Sequence, residues 1–150
     1  MIVVDITLLL AAVNTRAPMH KAAREWWENQ LNGEATVGLS WLVILGFIRL
    51  TTNGKIMPEP LLLADAIAMV DEWLRRPNVK TIAVTPQHWN ILQNMLHAVG
   101  HGAALTMDAH IACLAIEHDA EIVTVDEDFS HFPGLKWRNP LKPAGEATEG

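Results

Sequence analysis

The chain has 150 residues, half of them hydrophobic and 19% charged, with a net charge of −6. That length suits one domain able to bury about two-thirds of its unfolded surface, and the apolar content excludes disorder. The acidic balance excludes a general nucleic-acid coat, though not a nuclease whose positive charge is a bound metal.

The N-terminal run MIVVDITLLLAAV has no basic lead, is broken by Asp5 and is too short to span a membrane, so it reads as strand and helix. Residues 2–5 form the strand and about 7–13 the helix. A second helix runs over 18–32 from near Pro18 and contains Trp26 and Trp27. Residues 35–38 make a short strand. A helix then runs from an N-cap at Ser40 to Thr52, stopped by Asn53-Gly54. Another spans Glu59 or Pro60 to Arg76, ended by Pro77-Asn78. Residues 79–84 are strand-like, and Thr85-Pro86 opens a helix to Val99. After the loop Gly100-His101-Gly102 comes a helix from Leu105, a tight turn, and a β-branched strand at 122–125. Residues 136–138 make an edge strand. The domain ends at 141, and residues 142–150 are a flexible tail rich in Pro, Gly and Glu. Strands alternating with helices specify an α/β sandwich with a parallel sheet and right-handed crossovers.

Four acids fall at telling places. Asp108 lies in the first turn of the late helix, beside the packed face of Ile111, Ala112 and Ala115. The strand at 2–5 ends in Asp5, and the strand at 122–125 is followed by Asp126, Glu127 and Asp128. Ligands of open α/β sheets collect outside the carboxyl ends of strands. If these two strands are neighbours, Asp5, Asp126 and Asp128 converge, with Asp108 in reach. Each alone has a local role, as a first-turn acid or a turn initiator. As a group they repel, by about 4 kcal/mol for a pair about 4 Å apart at an effective dielectric near 20. A proton or a hard cation must therefore sit among them, and carboxylate oxygens suit magnesium or manganese.

Other residues carry less. His97 and His101 have a zinc-like spacing, but Gly100 breaks the helix between them. His110 and His118 flank the late helix in exposed or hydrogen-bonded roles. Ser40 and Ser130 lack a nucleophile setting, and no phosphate-cradling glycine pattern is present. Cys113, the only cysteine, is a small core hydrophobe, which suits a reducing cytoplasm. Most of Trp26, Trp27, Trp41 and Trp73 belong in the core, with one or two free to line an apolar groove for a partner helix.

The opening VVD with its apolar helix, the block DAHIACLAIEHDAEIVTVDEDF, the closing FPGLKWRNPL and the segment LGFIRLTTN together resemble PIN-domain ribonucleases. Within that superfamily they resemble the VapC toxins of bacterial toxin–antitoxin pairs abundant in mycobacteria. The likeness runs from Val4 to about Leu141. It implies a PIN-like three-layer sandwich with a mainly parallel sheet of about five strands flanked by helices. It also implies Mg2+- or Mn2+-dependent cleavage of tRNA or ribosomal RNA that arrests translation and growth. Asp5, Asp108 and Asp126 would hold the metal, with Asp128 as a fourth catalytic acid and Thr7 and Arg49 near the substrate. The implied partner is a small VapB-like antitoxin whose C-terminal segment covers the site, in a homodimer or a toxin–antitoxin hetero-oligomer. One departure from the pattern stands out. The family's middle-helix Glu would fall at Gly46, and no Asp or Glu occurs between Glu34 and Glu59. The alternative it sustains is a catalytically weak PIN-like module that binds antitoxin or RNA. A receiver-like phosphoacceptor is disfavoured, because the first strand ends in one Asp rather than two.

Overall fold

A computed structural model describes residues 1–143; most of the expected C-terminal tail lies outside the described residues. Among the described residues are five strands and six α-helices, the helices in pairs between the first four strands. These are β1 (Ile2–Val4), α1 (Ile6–Val13), α2 (His20–Leu31), β2 (Val37–Ser40), α3 (Trp41–Thr51), α4 (Leu63–Arg75), β3 (Val79–Ile82), α5 (His88–Val99), α6 (Leu105–Glu117), β4 (Glu121–Val123) and β5 (Trp137–Arg138). A five-residue 3-10 helix, Glu127–His131, joins β4 to β5. Strand order is β3-β2-β1-β4-β5, and every pairing is parallel. The expected α/β sandwich with a five-stranded parallel sheet flanked by helices is the observed fold. No helix among the described residues is long and apolar enough to cross a membrane.

The centre of the sheet is set by sequence. All residues of β1 and β2 are buried, as continuous apolar strands covered on both faces must be. From β1 the chain builds outward through β2 and β3 on one side, then crosses back to β4 and β5 on the other, which makes the end of β1 a topological switch point. Register pairs Val4 with Val123, so the next residues, Asp5 and Thr124, leave the sheet side by side.

Several boundaries differ from expectation for local reasons. Asp5 is not the last strand residue but the N-cap of α1. The second strand is shifted to Val37–Ser40 because it is hydrogen-bonded to neighbours on both sides, and Ser40 ends it while its Oγ accepts from Val43 N–H at 3.1 Å to cap α3. The fourth helix starts at Leu63 rather than Glu59 or Pro60. The amide of Leu61 is spent on the carbonyl of Thr51 at 2.8 Å, which straps this segment to the end of α3. The fifth starts at His88, because the Thr85 amide and hydroxyl are taken by Glu117. Strand β4 ends at Val123, where Thr124 turns toward Asp5.

Helix α6 is buried nearly all round, with Leu105, Ala109 and every residue from Ile111 to Ala115 inside. Its alanines let it lie close to the sheet. Phe47, Trp73 and Trp27 form an aromatic core, with ring centroids 4.6 and 5.3 Å apart. Trp27 and Trp73 are buried, Trp26 is half-buried, and Trp41 is 54% exposed.

Candidate active site

Asp5, at the carboxyl end of β1, is 3% exposed. Its Oδ2 receives the Thr7 hydroxyl at 2.7 Å and the Thr124 hydroxyl at 2.8 Å. Each hydroxyl has one proton, and both protons are spent on Asp5, so the 3.2 Å approach of the two hydroxyl oxygens joins two acceptors. The Thr124 oxygen in turn accepts the amide of Asp126 at 2.9 Å, and the Thr7 oxygen that of Val125 at 3.4 Å. Two threonines thus tie Asp5 to the chain leaving β4.

That chain carries the next two acids. Asp126 caps the 3-10 helix, its Oδ1 accepting from the Asp128 amide at 2.9 Å. Phe129 and Phe132 anchor the turn in the core, their rings 5.7 Å apart. Asp108 approaches from the first turn of α6. One carboxylate oxygen from each of Asp108, Asp126 and Asp128 lies within 4.8 Å of the others. The local roles foreseen for Asp5, Asp108 and Asp126, as caps and first-turn acid, coexist with this convergence and produce it.

The electrostatics fit a missing counter-charge. Burial pushes the Asp108 carboxyl up to about 6, and the charges of Asp5, Asp126 and Asp128 push in the same direction. Burial also raises Asp5, against the opposing hydrogen bonds of Thr7 and Thr124. Three convergent hard oxygens with a fourth acid beside them match the ligands of a small divalent cation, which would offset the charge that Asp108 carries unfavourably among them.

Of the residues singled out in the sequence, Asp108, Asp126 and Asp128 come together. Asp5 stands next to them, outside that trio of mutually close oxygens, although its charge reaches Asp108. Thr7 is spent on Asp5. Arg49 is exposed, makes no ion pair among the described residues, and lines a pocket with Asp5, Asp108 and Gly46. Gly46 therefore sits beside the acids, where a glutamate would have joined them. Thr124 escaped sequence reasoning. A threonine after a β-branched run is an ordinary strand residue, and only the register that sets it beside Asp5 reveals its role.

A second polar cluster lies toward the other end of α6. The buried Glu117 carboxylate accepts the Thr85 amide at 3.0 Å, the Thr85 hydroxyl at 2.6 Å and Nδ1–H of His88. His88 Nε2 then accepts from His110 Nδ1 at 2.9 Å, the only tautomer assignment that satisfies neutral rings. Burial alone would raise Glu117, but its hydrogen bonds from Thr85 and His88 outweigh that and hold it low; burial, then His88, lowers His110. This network fastens α5 to α6. His118 is hydrogen-bonded to the Ala83 carbonyl, and α5 ends at Gly100 in the left-handed conformation, separating His97 from His101.

A family model described as the PIN domain matches residues 2–135. The Mycobacterium tuberculosis protein "Ribonuclease VapC33" is 43% identical over 142 residues, which are 95% of this chain and 99% of that protein. The structure of VapBC2 from Rickettsia felis bound to a DNA fragment from its promoter matches with a TM-score of 0.66 at 19% identity, over 93% of this chain and 98% of the other. That of Mycobacterium tuberculosis VapC20, a sarcin-ricin loop cleaving toxin, matches with a TM-score of 0.65 at 18% identity, over 91% and 99%. At such identities the two structures speak for the fold alone.

Proposed function

This chain belongs to the PIN-domain family, in its VapC-type ribonuclease branch, and from that premise we propose that it is the toxin of a toxin–antitoxin pair and acts as a metal-dependent endoribonuclease. The observation that carries the chemistry is the meeting of Asp108, Asp126 and Asp128 beside the buried Asp5 at the switch point of a parallel sheet. Magnesium or manganese bound there supplies the Lewis acid and the activated water that phosphodiester hydrolysis needs.

The chain's own groups divide the remaining work. Asp108 and Asp126 supply oxygens from two rigid elements, a helix start and a capped 3-10 turn. Asp5, fixed by Thr7 and Thr124, adds a charge whose position is set by the sheet. Asp128 is the exposed member, and its carboxylate orients the attacking water and receives its proton. Arg49, unpaired at the rim, neutralises a phosphate of the RNA. For the partner we propose a VapB-like antitoxin. Support comes from kinship to the VapC branch and from a groove of about 350 Å3 between α1, α2 and α4, lined by Val13, Trp27, Leu61 and Trp73, that suits an amphipathic segment.

The test is digestion of total tRNA and ribosomal RNA by the purified chain with EDTA, magnesium or manganese, beside an Asp126→Asn variant. Discrete fragments that need metal and vanish in the variant are expected. A second reading, a weakly catalytic module that binds antitoxin or RNA, is favoured by one observation: α3 brings Gly46, not an acid, to the site. Cleavage no greater than that of the variant in any metal would refute the nuclease for the RNAs tested and put the binding module first.

A further inference from the structure

The pocket beside the acids is apolar where a nuclease site handling phosphate alone would be polar. Ile6, Leu42, Val43, Leu50 and Ile111 form its walls. The only charged groups lining it are Asp5 and Asp108 on the site side and Arg49. Gly46 lets α3 pack against Ile6, since a Cβ built there would fall 2.7 Å from its Cδ1, and it projects no side chain into the pocket. Met107, 57% exposed in the turn of α6 that bears Asp108, lines it too. Such an exposed methionine is a flexible apolar flap next to a carboxylate, an arrangement that contributes nothing to the hydrophobic core.

We infer that this pocket receives one unstacked base of the substrate RNA, next to the scissile phosphate, and that it favours the single ring of a pyrimidine. The inference rests on the ribonuclease reading above. Three features identify the occupant. The pocket is continuous with the carboxylate site through Asp5 and Asp108, so whatever fills it adjoins the group being cut. Its size, about 160 Å3, matches one aromatic ring; an apolar cavity of about 150 Å3 lined by Leu, Ile and Phe takes up benzene. Arg49 supplies the cation that a flanking phosphate requires, in a chain that is otherwise acidic. Apart from Asp5, Asp108 and Arg49, which face the phosphate side, the lining side chains are aliphatic or thioether, so discrimination is by ring size and apolar contact rather than by pairing pattern. Flipping one base into the pocket turns the backbone outward and presents its phosphate to Asp108, Asp126 and Asp128.

The experiment is cleavage, in manganese, of a synthetic single-stranded RNA pool with all four bases at every position, the ends being mapped by sequencing. Wild-type protein should show pyrimidine enrichment on the order of tenfold at one position flanking the cut. In Leu42→Phe, which fills the pocket, that preference should collapse to within about twofold and total cleavage should fall. In Leu42→Ala, which widens it, purines should be admitted. Circular dichroism establishes that each variant is folded, and the two variants change the pocket in opposite senses, so a general loss of fold cannot imitate the pattern. Metal-dependent cleavage with no positional bias, with a purine bias, or with a bias unchanged by Leu42→Phe would overturn the pocket assignment and leave the nuclease standing. Absence of cleavage by the wild type would overturn both.

Discussion

Thr124→Val removes one hydroxyl from the middle of the site at nearly constant volume. The Thr124 side chain is fully buried and its hydroxyl does two jobs, donating to Asp5 at 2.8 Å and accepting the Asp126 amide at 2.9 Å. A hydrogen bond to a charged group contributes about 1.5–3 kcal/mol, and an amide left unpaired costs about 1–3 kcal/mol. The two are coupled through one oxygen and do not add fully, so the expected loss of stability is about 2–4 kcal/mol. For a chain of this size that lowers Tm by roughly 5–15 °C. Asp5 loses a bond that lowers its pKa and so moves further up. Asp126 loses the bond that fixes its backbone. Metal affinity or cleavage should then fall by roughly 10–100-fold, the usual effect of removing a group that orients a ligand. Thr124→Ser keeps the hydroxyl and deletes a methyl, at a cost of about 1 kcal/mol. Urea unfolding with and without manganese, and cleavage kinetics for both variants, decide the matter. If Thr124→Val is no less stable than Thr124→Ser and binds manganese equally well, the account of how Asp5 and Asp126 are held is wrong.

Four further outcomes follow from the same geometry. Because Asp108 is raised from 3.8 to about 6, the metal-free fold gains stability from this group as pH falls through 6 toward 4, and holds an unfavourable charge at pH 7. Asp108→Asn should abolish cleavage yet stabilise the metal-free protein at pH 7 by about 1 kcal/mol, after discounting for a half-exposed carboxyl; urea melts in EDTA measure it. In the wild type, manganese affinity measured by calorimetry should be level above pH 7 and fall, by up to about tenfold per pH unit, below about 6. Glu117→Gln breaks the carboxylate that collects Thr85 and His88, and urea melts at pH 7 should show a loss of about 2–3 kcal/mol with the Asp trio intact. Since Glu117 and His110 are both held low, that network's contribution is complete above about pH 6.5 and is lost as pH falls below it, the opposite direction from Asp108. Gly46→Glu places a carboxylate beside Asp5 and Asp108 after Ile6 shifts its terminal methyl. Calorimetry should show tighter manganese binding, while the mapped RNA ends lose their base preference because the pocket is filled.

Much of this molecule was legible in the chain. The β-branched runs at the ends of which Asp5 and Asp126 sit, the apolar all-round helix behind Asp108 and the strand–helix alternation fix an α/β fold, because their periodicities have no other packing that buries them. The position of Asp108 in its first turn placed that carboxylate at the carboxyl edge of the sheet once the strands were ordered. The cap at Ser40 was readable too, since the hydroxyl and the helix start are three residues apart.

The rest needed the third dimension. Helix starts at Leu63 and His88 were displaced by partners 10 and 32 residues away, Thr51 for Leu61 and Glu117 for Thr85, which no local propensity encodes. Glu117, His88 and His110 read as unrelated residues until α5 lies on α6. The sequence determined which acids exist, on which elements, and that the element bearing Gly46 brings none; periodicity and chain order suffice for that. Only the tertiary structure decided that Asp5 is held by Thr124 across the β1–β4 register, that Asp108, Asp126 and Asp128 form the closest trio, and that an apolar pocket opens beside them. Those facts depend on ångström-scale distances between residues as far as 119 positions apart, which are set by strand pairing and packing rather than by any neighbour in the chain.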